Sequence, residues 1–379
     1  MSDTEQRTGG WRDGDPVGRR RFVDIGAVSL ERGGRIDDVR MAYESWGRLD
    51  ADGRNAVLVL HALTGDSHVV GPADPGHPTA GWWEGMIGPG CPLDTDRWFV
   101  VAPNVLGGCQ GTTGPVSDAP DGRPWGSRFP YLTVRDQVEA ERRLADALGI
   151  DSFAAVLGGS MGGMRVLEWA VMFPERVRGI VPIAVGAVAS ADQIALQSIQ
   201  VQAIREDPAY RGGDYLRADD GRVPTTGLAL ARRLAHWSYR SREELDERFG
   251  RDPQGEEDPL SFEGRFAVSS YLDHHGAKLA RRFDAASYVV LTESMNGHDV
   301  GRGRGGAAAA LARYDGEATV IGIDSDRLYP VEEQHELASL LPGAGPWAAV
   351  LTSPHGHDSF LIETDAVGEV VTQLLRRVG

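Results

Sequence analysis

A chain of 379 residues, 41% of them hydrophobic, is long enough for one large domain or two and for a sizeable buried core. Its formal net charge of −16, from 55 acidic and 39 basic side chains, excludes a general nucleic-acid binder, which needs a basic face for phosphates. Lys278 is the only lysine, which leaves little room for Schiff-base chemistry, and the two cysteines, Cys91 and Cys109, lack the C-x-x-C spacing of a disulfide scaffold or a four-ligand zinc site.

The polar start, MSDTEQRTGGWRDGD, has no apolar core of the kind a signal peptide carries, and residues 1–15 are expected to be disordered. No apolar run approaches about 20 residues, so no membrane span is expected and a cytoplasmic location fits. Short apolar runs then recur. Residues 55–63, 97–105, 152–159, 177–185, 318–324 and 347–353 read as strands. Helical patterns at 134–149, 161–173, 330–343 and 365–378 lie between or after them. Such alternation predicts a mostly parallel sheet with helices on both faces. It stops from 187 to 307, where SADQIALQSIQVQAIRED, TTGLALARRLAHWSYRSREELDERF and EGRFAVSSYLDHHGAKLARRFD are helical in pattern. We read 187–307 as a helical insertion in a core made of 16–186 and 308–379. The charge runs of 242–258 read as a solvated face.

The stretch LGGSMGGMRVLEWA, 157–170, sets Ser160 among glycines between a predicted strand and a predicted helix. Glycine is kept where the backbone turns sharply or approaches something closely. G-x-S-x-G in that setting is the nucleophile elbow of an α/β-hydrolase fold: a mostly parallel sheet flanked by helices, here with a helical lid insertion. The plainer reading is a glycine-rich turn that packs a helix on a strand. An elbow serine needs a base and an acid, and this fold takes them in the chain order Ser, Asp/Glu, His, in loops after later strands. ATVIGIDSDRLYP offers Asp324 and Asp326, and WAAVLTSPHGHDSF offers His355 and His357. His357 lies deeper in its loop. Asp326 stands four residues before Pro330, with room for the turn to swing its carboxylate inward; Asp324 is the alternative. A tetrahedral oxyanion needs two N–H donors: Met161, directly after the serine, and one from the loop LHALTGDSH, for which Leu63 is the candidate. The glycine-rich NVLGGCQGTTGP lacks G-K-[ST], so it is read as a wall of the site and not as a phosphate loop, with Cys109 a packed small residue.

These segments, together with GWWEGMIGPG, LARRLAHWSYRS and YLDHHGAKLARRFDAASYVVLTESMNGHDVGRGRGG, resemble the homoserine O-acetyltransferase family from about Val28 to the C-terminus. The resemblance implies a catalytic triad of Ser160, Asp326 and His357, oxyanion donors at Leu63 and Met161, and homoserine contacts at Arg232, Tyr239 and Asp358. Taken alone, Arg232 reads as a surface arginine beside Arg233. The resemblance further implies acetyl transfer from acetyl-CoA to L-homoserine, no metal or tightly held cofactor, and a homodimer that pairs through the lid. Homoserine O-succinyltransferase, serine O-acyltransferase and esterase or thioesterase are the alternatives within the fold.

Overall fold

The computed structural model describes residues 8–218 and 220–379. Its main sheet runs β1-β2-β6-β3-β7-β8-β10-β11, with β9 paired beside β8. The central strands are the expected apolar runs: β3 (Ala56–Leu60), β6 (Phe99–Pro103), β7 (Phe153–Gly159) and β8 (Gly179–Ile183). β9 (Glu317–Ala318), β10 (Ile321–Ile323) and β11 (Ala349–Leu351) follow, and all are parallel. Helices cover both faces, as a parallel sheet requires. Side chains alternate across each strand. Leu58, Leu60 and Val156 therefore join a core with α1 (Val134–Ala147) and α2 (Met161–Met172). Val57, Val59 and Leu157 join the opposite core with α11 (Thr364–Val378).

Two strands of the main sheet were not foreseen. β1 (Arg21–Ser29) and β2 (Arg35–Trp46) form an antiparallel hairpin, from Arg21 opposite Tyr43 to Ser29 opposite Arg35, and β2 lies antiparallel against β6. Their outward residues are charged, so they do not read as apolar runs. A small pair, β4 (Ile87–Gly88) and β5 (Leu93–Asp94), lies off the main sheet.

Of the segment expected to be disordered, residues 1–7 lie outside the described residues. Residues 8–15 correct that expectation: the Thr8 hydroxyl donates to Asp284, the Trp11 N–H donates to the Cys109 carbonyl at 2.8 Å, and Trp11 packs on Phe22. The charge of this segment hid its one aromatic anchor.

Between β8 and β9 the chain builds α3 (Ala191–Arg205), α4 (Thr225–Tyr239), α5 (Arg242–Phe249), α6 (Ala267–Ala280), α7 (Ala285–Asn296) and α8 (Ala307–Leu311). The neck of this excursion is pinned where Val300 N–H donates to Ala187 and Ala189 N–H to His298. The single pattern over 225–249 divides at Arg240, because Ser241 caps a new helix by accepting the Glu244 N–H at 3.0 Å. After β10, α9 (Val331–Leu340) returns to the sheet, and α10 (Ser359–Ile362) precedes α11.

Candidate active site

β7 turns into α2 at Ser160, which has φ 57° and ψ −123°, a conformation rarely tolerated outside glycine. The neighbouring glycines make this turn possible. A Cβ on Gly158 would lie 2.5 Å from the Leu60 carbonyl oxygen, one on Gly162 2.1 Å from the same atom, and one on Gly159 2.5 Å from the Phe360 ring. The elbow is therefore pressed against the end of β3 and against the loop that carries His357. Ser160 is 6% exposed, and its N–H donates to Ile183 at 2.9 Å.

His357 sits in a single 3-10 turn, Gly356–Asp358, after β11. Its Nδ1–H donates to Asp326 Oδ2 at 2.6 Å, and both side chains are buried. The other carboxylate oxygen, Oδ1, accepts the backbone N–H groups of Leu328 and Tyr329 at 2.8 and 2.9 Å. Asp324 faces away and accepts the Ser353 N–H at 3.2 Å, so Asp326 is the partner of the imidazole. Burial by itself lowers the His357 pKa; the Asp326 carboxylate outweighs it, and the net position is above the ordinary value. With Nδ1 committed to Asp326, Nε2 carries the lone pair, and it is buried without a hydrogen-bond partner among the described residues. Tyr329 stacks on the His357 ring at 5.2 Å and its hydroxyl lies beside Ser160, short of hydrogen-bond geometry. Phe360 contacts His357 edge-on at 5.7 Å and also covers Gly159. Tyr329 and Phe360 thus bracket serine and histidine together. Sequence reasoning missed both; the only available signal was that each follows an expected triad residue by three positions.

Leu63 lies in the loop after β3 and Met161 opens α2; they are 5% and 0% exposed. Among the described residues, neither backbone N–H has a hydrogen-bond acceptor in the protein. Buried N–H groups are seldom left unpaired, and Met161 lies at a helix N-terminus, where developing negative charge is favoured.

The lid supplies the other wall. A cavity of about 320 Å³ lies between the loop carrying Ala62, Thr64 and Asp66 and the lid residues Arg232, Arg240, Lys278 and Arg282, with Asp358 at its side. Arg232 stacks on Tyr239 at 5.2 Å, and Tyr239 packs on His357 at 5.6 Å. Arg233 points the other way into an exposed pair with Asp273, so the surface reading fits Arg233 and not Arg232. Asp358 Oδ2 lies 3.3 Å from the Arg240 guanidinium. Burial raises the Asp358 pKa, against the opposing pull of Arg240, Arg232 and His357. The structure therefore gathers Arg232, Tyr239 and Asp358 at His357, and adds Arg240, which the sequence reading did not single out.

Glu44, His68 and His77 are the one buried group, among the described residues, close enough together to suggest a metal site. Their geometry does not suit an ion. The two imidazoles stack at 3.9 Å with planes 10° apart, so their in-plane lone pairs cannot converge. His77 Nε2 already accepts the Arg19 N–H, and His68 Nδ1 meets Glu44 at 3.2 Å. Cys109 is buried in the core, and that burial pushes its thiol well above its ordinary pKa, which fits a packed residue.

The family model for the alpha/beta hydrolase fold matches residues 55–364. A homoserine O-acetyltransferase of Clavibacter michiganensis subsp. michiganensis is 60% identical over 370 residues, which is 97% of this chain and 95% of that one. Among solved structures, a homoserine O-acetyltransferase from Bacillus anthracis superposes with a TM-score of 0.85 at 25% identity, covering 94% of this chain and 97% of that one. Esterase E22 superposes with a TM-score of 0.84 at 25% identity, covering 94% and 99%. No helix among the described residues is long and apolar enough to cross a membrane.

Proposed function

The chain belongs to the homoserine O-acetyltransferase family, and with that as premise we propose how it moves an acetyl group from acetyl-CoA to the hydroxyl of L-homoserine. The observation that carries the mechanism is the buried His357, with Nδ1 held by Asp326, Nε2 left without a partner among the described residues, and Phe360 packed against both its ring and Gly159 of the serine elbow. His357 Nε2 takes the Ser160 proton as the oxygen attacks the thioester carbonyl. The oxyanion is met by the free N–H groups of Leu63 and Met161. The tetrahedral adduct collapses, the carbon–sulfur bond breaks, and the thiolate leaves with the proton from His357 as CoA. Homoserine then enters. His357 removes its hydroxyl proton, the oxygen attacks the acetyl-enzyme, and Ser160 is released with the proton returned to it. Asp326 holds the working tautomer and stabilises the imidazolium. No step calls on a metal or a tightly bound cofactor. The product, O-acetyl-L-homoserine, feeds methionine synthesis.

Arg232 offers a forked pair of donors to the homoserine carboxylate, and Asp358 accepts from its ammonium group. Arg240 holds the Asp358 carboxylate in place from the same cavity wall. Lys278, exposed at the cavity rim, suits the phosphates of a polyanionic donor in an otherwise acidic protein. A groove between α3 and α4, lined by Ile199, Leu230 and Leu234, leaves apolar surface on the lid; Ile199 and Leu230 are 55% and 45% exposed. That surface supports pairing with the lid of a second copy. A cytoplasmic location follows from the use of acetyl-CoA and a biosynthetic amino acid.

A hydrolase of the same fold would pass its acetyl group to water. The test is a time course of thiol release from acetyl-CoA with and without L-homoserine, with products quantified by mass spectrometry. Slow release without homoserine, rapid release with it, and O-acetyl-L-homoserine equal to the CoA formed are expected. Equal release without homoserine, with free acetate as main product, would make the chain a thioesterase. Succinyl-CoA and L-serine run in parallel test the donor and acceptor assignments.

A further inference from the structure

α2 carries a charge in a place where charges are rare. Arg165 and Glu141 are both fully buried, and Arg165 Nη1 lies 2.6 Å from Glu141 Oε1. Glu141 Oε2 accepts the Trp169 indole N–H at 2.8 Å. The other arm of the guanidinium, Nη2, donates to the carbonyl oxygen of His61. His61 is the first residue of the loop that follows β3, two positions before Leu63. Its ring ties the loop down further: Nδ1–H donates to Ala62 O at 2.8 Å, and Nε2 accepts the Val105 N–H at 3.1 Å. Burial and then the nearby Arg165 charge lower the His61 pKa to about 3, in keeping with a neutral ring bearing its single proton on Nδ1.

A buried ion pair costs desolvation on both partners and is often no more stabilising than an apolar pair of the same volume. Its presence here therefore calls for a reason other than stability. The reason lies in what the second arm reaches. Arg165 is on the helix that begins at Met161, one oxyanion donor, and it grips the loop that bears Leu63, the other. A Cβ on Gly162 would also fall 3.2 Å from the His61 oxygen, so helix and loop meet at this carbonyl.

We infer that Arg165 is a positioning residue for the reaction: held by Glu141, it clamps the His61 carbonyl to α2 and so sets the spacing of the Leu63 and Met161 N–H groups over Ser160. This rests on the reading of those two groups as the oxyanion donors. The pair is tuned for geometry, since a misplacement of about 1 Å at such a site costs on the order of a hundredfold in rate.

Three variants separate positioning from stability. Glu141→Gln keeps an amide oxygen beside Arg165 but unpairs a buried charge; Tm is expected to fall, while acetylation of Ser160 falls less than in Arg165→Met. Arg165→Met leaves Glu141 unpaired and should lower both. The double variant Glu141→Gln/Arg165→Met removes both charges and leaves the introduced amide oxygen to accept from Trp169. Its Tm is expected to recover toward the parent, while single-turnover acetylation by acetyl-CoA stays about 10- to 100-fold slow, with the KM for acetyl-CoA changed less than about threefold. The readouts are rapid-quench mass spectrometry of the acetyl-enzyme and a thermal melt. If the double variant acetylates at the parent rate, or if rate follows Tm across all three, Arg165 is only structural. If the parent protein itself forms no acetyl-enzyme, it is the covalent mechanism that fails, a different result from either of these.

Discussion

Asp326→Asn isolates the part of the site on which the proton transfers depend. Asp326 divides its two oxygens: Oδ1 receives two backbone N–H groups, from Leu328 and Tyr329, and Oδ2 receives the His357 Nδ1–H at 2.6 Å. An asparagine has one acceptor oxygen and one donor NH2. Two fixed backbone donors demand the oxygen at the Oδ1 position, so the NH2 is turned toward His357. Nδ1 must then accept, the ring proton moves to Nε2, and the base can no longer take the Ser160 proton. The wrong tautomer in a triad costs about 10⁴-fold in kcat, equivalent to roughly 5 kcal/mol at about 1.36 kcal/mol per tenfold. The size of asparagine leaves the packing intact, so the melt should change little beside the rate. Initial rates of thiol release with homoserine saturating measure the loss, and Asp324→Asn, whose carboxylate accepts the Ser353 N–H, should stay within about tenfold because it gives up one ordinary hydrogen bond. A variant at 326 that keeps a tenth or more of the parent kcat, or one at 324 that loses more than it, would refute the tautomer argument.

In the proposed mechanism the neutral imidazole is the base, and its pKa in the fold lies above the ordinary value of about 6.5, so kcat/KM for acetyl-CoA should fall as pH drops through an acid limb above 6.5 that moves to lower pH in Asp326→Asn. Because the folded pKa is raised, the pair's contribution to stability is fully present below about 6.5 and lost as pH rises through the folded value; a Tm component declining over that window should be absent from Asp326→Asn. Arg232→Lys keeps the charge but loses the fork, and should raise the KM for homoserine about tenfold, with the KM for acetyl-CoA nearly unchanged; equal effects on both would return Arg232 to a structural part. Gly162→Ala would set a methyl 2.1 Å from the Leu60 carbonyl oxygen, a backbone atom that cannot turn aside. It should cost at least about 1–3 kcal/mol in a denaturant melt, together with activity, and an unchanged melt would show that β3 and the elbow are not in hard contact.

Much of this protein is written locally. Apolar runs five to seven residues long fix where β3, β6, β7 and β8 form, because a strand buried on both faces tolerates little else. The glycines around Ser160 announce a turn pressed too closely on its neighbours for a Cβ beside it, and the loops carrying serine, carboxylate and histidine can converge because parallel strands end on one edge. The rest depended on partners distant in the chain. Asp324 and Asp326 stand at one strand end two residues apart, and only the packed loops decide that one takes the Ser353 N–H and the other His357. The β1–β2 hairpin has charged outward residues and is a sheet edge only because β6 lies beside β2. Arg232 and Arg233 are adjacent and identical in type, yet helix rotation sends one to the cavity and its neighbour to solvent. Arg165 sits in a run that reads as an ordinary helix. Its partners, Glu141 and the His61 carbonyl, lie 24 and 104 residues away. Periodicity records which side of an element is buried. Which charge meets which carbonyl is set by where two elements touch, and that is decided only when the chain has packed.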